Sequence, residues 1–450
     1  MDGNGDVFPA HFGAILRYDE GMKALLYCAA YKKDFATPGY GVAKWDTPIL
    51  EKPLLKWQIE SLLHNGVDHL IIAWPKKADV PEFLAENAQV SLLLLNKPKG
   101  NAGAIAFLAE LGEDLFYVPG DLFLDVDLHR FFKFHEEKGA MISAFVHPEP
   151  HPEKKDVLIV KPNGQGFVVL PKETSSARDF AYRNIVPTDL AIVSGDFLST
   201  YDSDDIYPLN FRDDVFAPTL AIEGLYAYNS SEYVTKIKDR LSLEKVINDV
   251  TKGIPERKNL KNPQATFFLD RDGTLNVFGD FVVKAEMLHL IPGAAKAVKK
   301  INDSGYLAIC ITNQPIVARG ETTMGELQRI MATLEMELGK EGAYLDGVYF
   351  CPHFPVKKEH SIAEYTKECD CRKPKIGMLL NAKRDHRVDF SSSWFIGDTT
   401  QDVQTAKNAG THSVLLLGGD PHPYAKYPDA KPDFIVNTLA EAVEKIDILR

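Results

Sequence analysis

Short apolar runs alternate with amphipathic stretches along the first half of the chain, a pattern typical of an α/β sheet. Strands are predicted at residues 23–27, 69–74, 90–95, 115–118 and 141–146. Apolar positions recur at helical spacing over residues 53–63 and predict a helix there. Two further apolar runs, residues 157–160 and 167–170, flank the turn sequence Pro-Asn-Gly-Gln-Gly and predict an antiparallel insertion.

The alternation stops at residues 252–264, a polar stretch that contains two prolines and has no periodicity. It restarts with predicted strands at residues 266–269 and 306–311 on either side of a predicted helix at residues 293–303. We therefore predict two doubly wound α/β domains, residues 1–255 (with an extra N-terminal segment at 1–21) and residues 265–450, joined by a linker at 256–264. In such sheets ligands bind at the carboxyl ends of the strands.

Composition favours a folded protein of the reducing cytoplasm. The chain has 450 residues, of which 45% are hydrophobic, and five cysteines, too few for a disulfide scaffold. It carries 51 Lys and Arg against 63 Asp and Glu, and the net charge of −12 disfavours nucleic-acid or anionic membrane partners but permits small phosphorylated ligands. We read no secretion signal and no apolar run of the ~20 residues that span a bilayer, so we expect a soluble protein of undetermined oligomeric state.

Two carboxylates follow a predicted strand in residues 267–274, which read Phe-Phe-Leu-Asp-Arg-Asp-Gly-Thr. Asp270 ends the strand and Asp272 stands two residues later. One carboxylate can attack phosphorus to form an aspartyl phosphate, while the other protonates the leaving oxygen and later activates water. Mg²⁺ would offset the repulsion between the two acids. Taken by itself, this motif could also be an acidic turn without chemistry.

Three later segments, each after a predicted strand, supply the other groups that phosphoryl transfer needs. They contain Thr312 and Asn313, Arg372 and Lys373, and Asp398 and Asp402. The hydroxyl and amide suit phosphate oxygens, the two cations offset the phosphate charge, and the last two carboxylates suit a metal ion. The order acid, hydroxyl, cation, acid predicts a phosphoryl-transfer site.

Three cysteines and a histidine form two short pairs, Cys351-Pro-His353 and Cys369-Asp-Cys371, with fifteen residues between the pairs. Each pair can span one edge of a tetrahedron, so the spacing predicts a structural Zn²⁺ site. Buried free thiols or a disulfide are the alternatives. Because Cys371 adjoins Arg372, such a metal would also fix the two predicted phosphate-binding cations.

The four ordered motifs resemble those of the haloacid dehalogenase superfamily of phosphatases, from about residue 265 to the end of the chain. The resemblance implies a haloacid dehalogenase-like fold without a large cap and Mg²⁺ as cofactor. It implies that Asp270 is the nucleophile, Asp272 the general acid and base, and Thr312, Asn313 and Lys373 phosphate binders. It also implies Mg²⁺ ligands from Asp270, Asp398 and the Asp272 carbonyl, with Asp402 supporting the metal.

Within that superfamily, the cysteine and histidine pairs and the segments around Asp270 and Arg319 resemble the D-glycero-D-manno-heptose 1,7-bisphosphate phosphatases, relatives of the histidinol phosphatases. The resemblance implies a small phosphorylated sugar as substrate, with Arg372 in contact with it and Arg319 near a distal phosphate. For Arg319, a solvated surface arginine is the alternative. Residues 315–317 read Pro-Ile-Val where the branch often has Ser-Gly-Ile, which leaves the exact sugar open.

Residues 22–250 resemble the sugar-phosphate nucleotidyltransferases, which implies a Rossmann-like fold. Lys44, standing eight residues before Lys52-Pro53, resembles the lysine element of that family, and residues 99–104 resemble its base-binding loop. Asp121, after a predicted strand, resembles its metal-binding aspartate.

Two elements depart from the transferase pattern. Residues 29–35, Ala-Ala-Tyr-Lys-Lys-Asp-Phe, replace the glycine-rich loop that holds the nucleotide phosphates. Residues 232–238 contain lysines where the family has its second metal-binding carboxylate. We therefore expect this domain to be a scaffold or regulator rather than an active transferase.

The leading hypothesis is a Mg²⁺-dependent, zinc-containing phosphatase, in particular a heptose 1,7-bisphosphate 7-phosphatase in the synthesis of nucleotide-activated heptose. A histidinol phosphatase is an alternative, and so is a bifunctional phosphatase and heptose 1-phosphate guanylyltransferase. A noncatalytic sugar-phosphate sensor is disfavoured because both acids of the nucleophile motif are present.

Overall fold

The computed structural model of the chain describes residues 21–28, 44–76, 78–85, 87–95, 100, 102–170, 181–201, 209–279, 281–357 and 359–448. The chain divides into two compact units. The first unit comprises Met1–Val146, Val160–Val168 and Pro187–Asn259, and the second comprises His147–Ile159, Val169–Val186 and Leu260–Arg450. Among the described residues, no helix combines the length and hydrophobicity needed to span a membrane.

The strands before residue 260 are β1 Lys23–Tyr27, β2 Pro48–Ile49, β3 Lys52–Pro53, β4 His69–Pro75, β5 Val90–Leu95, β6 Leu115–Pro119, β7 Leu122–Asp125, β8 Ile142–His147, β9 Val157–Val160, β10 Gly166–Leu170, β11 Val186–Val193, β12 Leu225–Asn229 and β13 Tyr233–Lys236. The α-helices there are α1 Leu54–His64, α2 Glu82–Ala85, α3 Leu128–Lys138, α4 Gly195–Leu198, α5 Ala217–Ala221, α6 Arg240–Thr251 and α7 Ile254–Lys258.

After residue 260 the strands are β14 Thr266–Leu269, β15 Leu307–Asn313, β16 Gly347–Cys351, β17 Trp394–Gly397, β18 His412–Leu416 and β19 Phe434–Val436. The α-helices are α8 Ala294–Ser304, α9 Met324–Lys340, α10 Gly377–His386, α11 Thr400–Ala409 and α12 Leu439–Ile448.

The first unit is built on a seven-stranded sheet with the strand order β12-β8-β11-β6-β1-β4-β5. The strand β1 pairs in parallel with both β4 and β6, whereas β11 runs antiparallel to β6. Ala24, Leu25 and Leu26 of β1 are all fully buried, which explains why this strand reads as an unbroken apolar run. The two apolar runs that flank the predicted turn form β9 and β10, which pair in a separate two-stranded sheet.

The second unit is built on a six-stranded sheet with the order β16-β15-β14-β17-β18-β19, in which the paired strands run parallel. Alternate residues of β14 face opposite sides. Phe267 and Leu269 belong to the core that contains α8, α9 and α12 residues, while Phe268 packs in a second core with residues of α10. Helices therefore cover both faces of the sheet, as predicted for a doubly wound domain. In such a domain ligands bind at the carboxyl edge of the sheet.

The predicted linker at 256–264 is not irregular along its whole length. Its first residues belong to the helix α7, in which Pro255 stands in the first turn, where a proline fits. The side-chain amide of Asn259 then donates to Oδ1 of Asp125, 2.6 Å away. The polar composition concealed this short helix, which has a buried apolar anchor, Ile254, at its first position.

Glu335, on α9, carries a buried charge whose removal we expect to destabilise the second unit. Its carboxylate is 5% exposed and accepts from Nε and Nη2 of Arg183, at 2.5 and 2.9 Å, and from the Asn184 N–H, at 3.1 Å. Glu335→Ala leaves those donors unpaired, and because Arg183 is partly exposed we expect a loss of about 2 kcal/mol. Thermal unfolding should shift down by roughly 4–8 °C. Glu337→Ala, at a partly exposed glutamate of the same helix, is the matched control, and an equal shift in both variants would contradict the prediction.

Candidate active site

Three neighbouring parallel strands of the second unit end at one edge of the sheet, and the predicted phosphatase residues stand at those ends. Asp270 follows β14, Thr312 and Asn313 close β15, and Asp398 follows β17. The strand β14 lies between the other two and pairs with both. The shared carboxyl edge therefore brings together side chains that are up to 128 positions apart in sequence (398 minus 270).

Lys373 supplies the positive charge of this edge. Its side chain is 2% exposed, and its Nζ lies 2.8 Å from Oδ1 of Asp270 and 2.6 Å from Oδ1 of Asp402. Burial by itself lowers the pKa of a lysine, but these two carboxylates outweigh burial and raise the pKa of Lys373 above its usual value. The ammonium group is therefore charged at neutral pH and is available to a phosphate oxygen.

Asp270, Asp398 and Asp402 offer carboxylate oxygens that all lie within 4.8 Å of one another. Burial raises the pKa of Asp270 to about 7 against the opposing effect of Lys373, and burial with repulsion from Asp270 and Asp402 raises that of Asp398 to about 9. A buried excess of negative charge on oxygen donors suits a hard divalent cation. The residues present therefore fit Mg²⁺.

Asp398 is held in place by very close backbone contacts. The Asp420 N–H donates to its Oδ2 at 2.8 Å. Gly273 has φ +77°, and a Cβ at this position would lie 1.8 Å from the same Oδ2. Only glycine satisfies both the backbone conformation and the contact, which accounts for the glycine that follows the two acids.

Asp402 has both carboxylate oxygens engaged. Its Oδ1 accepts from Lys373, and its Oδ2 accepts from the N–H and Oγ1 of Thr399, at 3.2 and 2.7 Å, in a capping box at the start of α11. These contacts favour the supporting role that the resemblance implies for Asp402, because its oxygens already hold the lysine and the helix.

Asp272 is anchored by three residues for which the sequence analysis predicted no contact with this carboxylate. Arg271, buried with 1% of its side chain exposed, contacts both carboxylate oxygens, while Asn276 donates to Oδ1 at 3.0 Å and Gln314 to Oδ2 at 2.9 Å. Burial opposes ionisation of Asp272, but these donors, with Arg271 foremost, outweigh it and lower its pKa. Their positions in the sequence could have indicated a role at the site, because Arg271 stands between the two acids and Gln314 stands two residues after Thr312.

Thr312 and Asn313 have different surroundings at the end of β15. The buried Thr312 hydroxyl accepts from the Gln314 amide at 2.9 Å, which links it to Asp272. The Asn313 amide instead bonds to the Lys373 backbone, accepting from the N–H at 3.0 Å and donating to the carbonyl at 3.2 Å. This geometry favours Asn313 as a residue that positions Lys373, whereas the sequence suggested direct contact with phosphate.

Cys351, His353, Cys369 and Cys371 converge, with one potential ligand atom from each within 4.8 Å of the others. The sulfur atoms are 3.0–3.6 Å apart, and Nδ1 of His353 lies 3.2 Å from Cys371 and 3.7 Å from Cys351. A tetrahedral zinc site with Zn–S of about 2.3 Å has edges of about 3.4–3.8 Å. All three thiols are free, and the hydrogen bond between Cys351 and Cys371 lowers the pKa of Cys371 to about 5 while it raises that of Cys351, so Cys371 is the first of the pair to become a thiolate.

Two arginines approach one aromatic ring beside the cysteine cluster. The Arg319 and Arg372 guanidinium carbons lie 4.7 and 5.1 Å from the centre of the Phe354 ring. Arg372 also donates to the His353 carbonyl at 3.2 Å, which ties it to the cysteine loop. Only 15% of the Arg319 side chain is exposed, which sets it apart from a solvated surface arginine.

The transferase-like positions of the first unit are only partly described. Asp121 follows β6 with 14% of its side chain exposed, and Lys44 begins a short 3₁₀ helix, Lys44–Asp46. The predicted phosphate-loop replacement at residues 29–35, and Lys99 and Asn101 of the base-binding loop, lie outside the described residues.

Comparison with known proteins finds relatives of both parts of the chain. Residues 39–272 match the nucleotidyl transferase family, and residues 370–442 match the HAD-hydrolase-like family. The D-glycero-beta-D-manno-heptose-1,7-bisphosphate 7-phosphatase of Haemophilus ducreyi is 35% identical over 181 residues, which are 40% of this chain and 97% of that protein. The D-glycero-D-manno-heptose-1,7-bisphosphate 7-phosphatase of Thermosynechococcus vestitus is 38% identical over 188 residues, or 41% of this chain and 96% of that protein.

Among solved structures, the D,D-heptose 1.7-bisphosphate phosphatase from B. bronchiseptica complexed with magnesium and phosphate is 26% identical. The match covers 42% of this chain and 99% of that chain, with a TM-score of 0.36.

Proposed function

This chain belongs to the D-glycero-D-manno-heptose-1,7-bisphosphate 7-phosphatase family and to the nucleotidyl transferase family, and we propose that its second unit hydrolyses the 7-phosphate of that bisphosphate. The observation that carries this proposal is the contact between Asp270 and Lys373 at the carboxyl edge of the sheet, with Asp272 two residues further on. A nucleophile, a phosphate-binding cation and a proton-transfer group then meet at one place.

In the first step, an Asp270 oxygen attacks phosphorus, the bond to the sugar oxygen breaks, and Asp272 gives that oxygen a proton. In the second step, water attacks the aspartyl phosphate and Asp272 takes its proton, which releases inorganic phosphate and restores Asp270. The buried ammonium of Lys373 offsets charge on the phosphoryl oxygens in both steps. The first step uses the protonated form of Asp272 and the second its ionised form, and the donors around Asp272 favour the second of these.

We propose two metal ions as cofactors. Mg²⁺ would be held by Asp270 and Asp398, with Asp402 in support, and would neutralise carboxylate and phosphate charge. Zn²⁺ would be held by the three cysteines and His353 and would have a structural role. Because free thiols persist in a reducing compartment, the cytoplasm is the proposed location.

We also propose that the functional domains divide within residues 256–264. The change between the two compact units after Asn259 supports this boundary. Two segments before this boundary, His147–Ile159 and Val169–Val186, group with the second unit.

The substrate proposal is tested by measuring phosphate release from D-glycero-D-manno-heptose 1,7-bisphosphate, the corresponding 7-phosphate and histidinol phosphate. We expect the bisphosphate to give the highest kcat/KM, because Arg319 and Arg372 supply charge for a second phosphate beside Phe354. A preference for histidinol phosphate would overturn the choice of substrate but not the reaction. Absence of release from all three would overturn the reaction itself.

The zinc proposal predicts that Cys369→Ser lowers both zinc content and activity. Loss of the metal frees the loop that carries Arg372 and Lys373, so we expect a 10- to 100-fold lower kcat/KM, roughly the effect of losing support around a metal site. Metal analysis and phosphate release should be measured on the same sample. His360→Ala, at an exposed histidine in the same loop, is the control and should retain zinc. Full activity in a zinc-free Cys369→Ser protein would contradict the prediction.

A further inference from the structure

The strands of the first unit bring two carboxylates and a lysine together. Asp121 follows the end of β6, and Asp189 lies on β11, the strand that pairs antiparallel with β6. Lys236 is the last residue of β13 and stands opposite Leu122 of β7, the residue next to Asp121. Asp189 had no motif to mark it in the sequence.

The Lys236 ammonium is in contact with both acids. Its Nζ lies 2.8 Å from Oδ2 of Asp189 and 3.8 Å from Oδ2 of Asp121. The Ile237 N–H, next in the chain, donates to the Asp121 carbonyl at 2.8 Å, so the backbone beside the lysine is fixed as well. Burial alone would lower the pKa of Lys236, but Asp121 and Asp189 outweigh it and raise the pKa.

The nucleotidyl transferase family implies a divalent cation beside Asp121, and the residues present do not fit one. A magnesium ion needs carboxylate oxygens at about 2.0–2.1 Å in a nearly octahedral arrangement. The ammonium group, in contact with Oδ2 of both carboxylates, repels a second cation. With one lysine between two acids, a single net negative charge remains to attract a metal, half of what the two carboxylates would offer alone.

We propose that Lys236 replaces the divalent cation of the first unit. Its ammonium group, rather than a metal ion, holds Asp121 and Asp189 together, and the unit does not transfer nucleotidyl groups. The ammonium neutralises one of the two carboxylate charges, where a divalent ion would neutralise both, and it offers no open coordination position to a nucleotide phosphate. The inference concerns the first unit alone and is independent of the phosphatase reaction.

The test counts bound Mn²⁺ by electron paramagnetic resonance on the full-length chain. We expect Lys236→Asp to bind one more Mn²⁺ per chain than the wild type, because it removes the ammonium and places a third carboxylate beside Asp121 and Asp189. Adding Asp121→Asn to that variant should remove the extra ion. Lys238→Asp, the same charge change two residues away on an exposed side chain, is the matched control and should add none.

Three results would overturn the inference. One is a wild-type Mn²⁺ count that falls by one ion in Asp121→Asn. Another is a folded Lys236→Asp protein that binds no more Mn²⁺ than Lys238→Asp. The third is release of pyrophosphate from GTP and a sugar 1-phosphate by the wild type but not by Asp121→Asn. If circular dichroism shows that Lys236→Asp does not fold, Lys236→Asn is measured by the same criterion. Each comparison is a difference in Mn²⁺ count between two variants that share the same phosphatase site. The test therefore holds whether or not that site binds Mn²⁺.

Discussion

Asp270→Asn is expected to lower kcat for phosphate release by at least about 10⁴-fold, the order of loss seen when a covalent nucleophile is removed. The neutral amide of asparagine cannot attack phosphorus to form the acyl phosphate, and two of the nearby carboxylates, Asp402 and Asp272, are paired with Lys373 and Arg271. Release of inorganic phosphate from the bisphosphate, measured at saturating substrate, checks the prediction.

The same substitution should not destabilise the protein. Burial and the neighbouring carboxylates hold the pKa of Asp270 near 7, so in metal-free protein its charge disfavours the folded state at higher pH. A neutral amide removes that repulsion while Lys373 keeps its contact with Asp402. Thermal unfolding without metal should therefore be unchanged or slightly raised above pH 7, and zinc content should be unchanged. Asp303→Asn, at a largely exposed acid on α8, is the control, and turnover of Asp270→Asn within tenfold of this control would refute the nucleophile assignment.

The positions of the central strands along the chain could be predicted because strands buried on both faces of a sheet form apolar runs with polar residues at their ends. The prediction for residues 266–269 coincides with β14, and the next predicted strand, residues 306–311, is β15 shifted to Leu307–Asn313. Short elements were harder to predict. The pair β7 and β13 is formed by four-residue strands whose partners lie 108 or more positions apart (233 minus 125), and nothing local specifies such pairing.

Convergence of the phosphatase residues was predictable for a geometric reason. Parallel strands present their carboxyl ends at one edge, so motifs that follow successive strands must meet. The orientation of each side chain was not predictable. Asn313 bonds to the Lys373 backbone, and Asp272 is held by Arg271, because those contacts depend on backbone directions that the motif does not encode. The contact between Lys236 and Asp189 also escaped prediction, since it joins two strands 47 positions apart.

Lys373→Met should lower both the activity and the free energy of unfolding. Methionine fills a similar volume without the ammonium, so a phosphate would lose its buried cation and kcat/KM should fall by about 10²–10³-fold. Asp402 would also lose its 2.6 Å partner while remaining 2% exposed, and uncovering a buried charge in this way costs about 3 kcal/mol. The measurements are phosphate release and thermal unfolding of the same protein.

A double substitution separates these two effects. In Lys373→Met/Asp402→Asn the unpaired carboxylate becomes a neutral amide, which can still accept from the Thr399 N–H and hydroxyl that now bond to Oδ2. We therefore expect most of the lost stability to return, whereas activity stays low, because the phosphate still lacks its cation. Lys373→Arg should keep more activity than Lys373→Met, since it retains the charge with altered geometry. If activity recovers along with stability in the double variant, Lys373 acts only by holding the fold, and its role in binding phosphate is wrong.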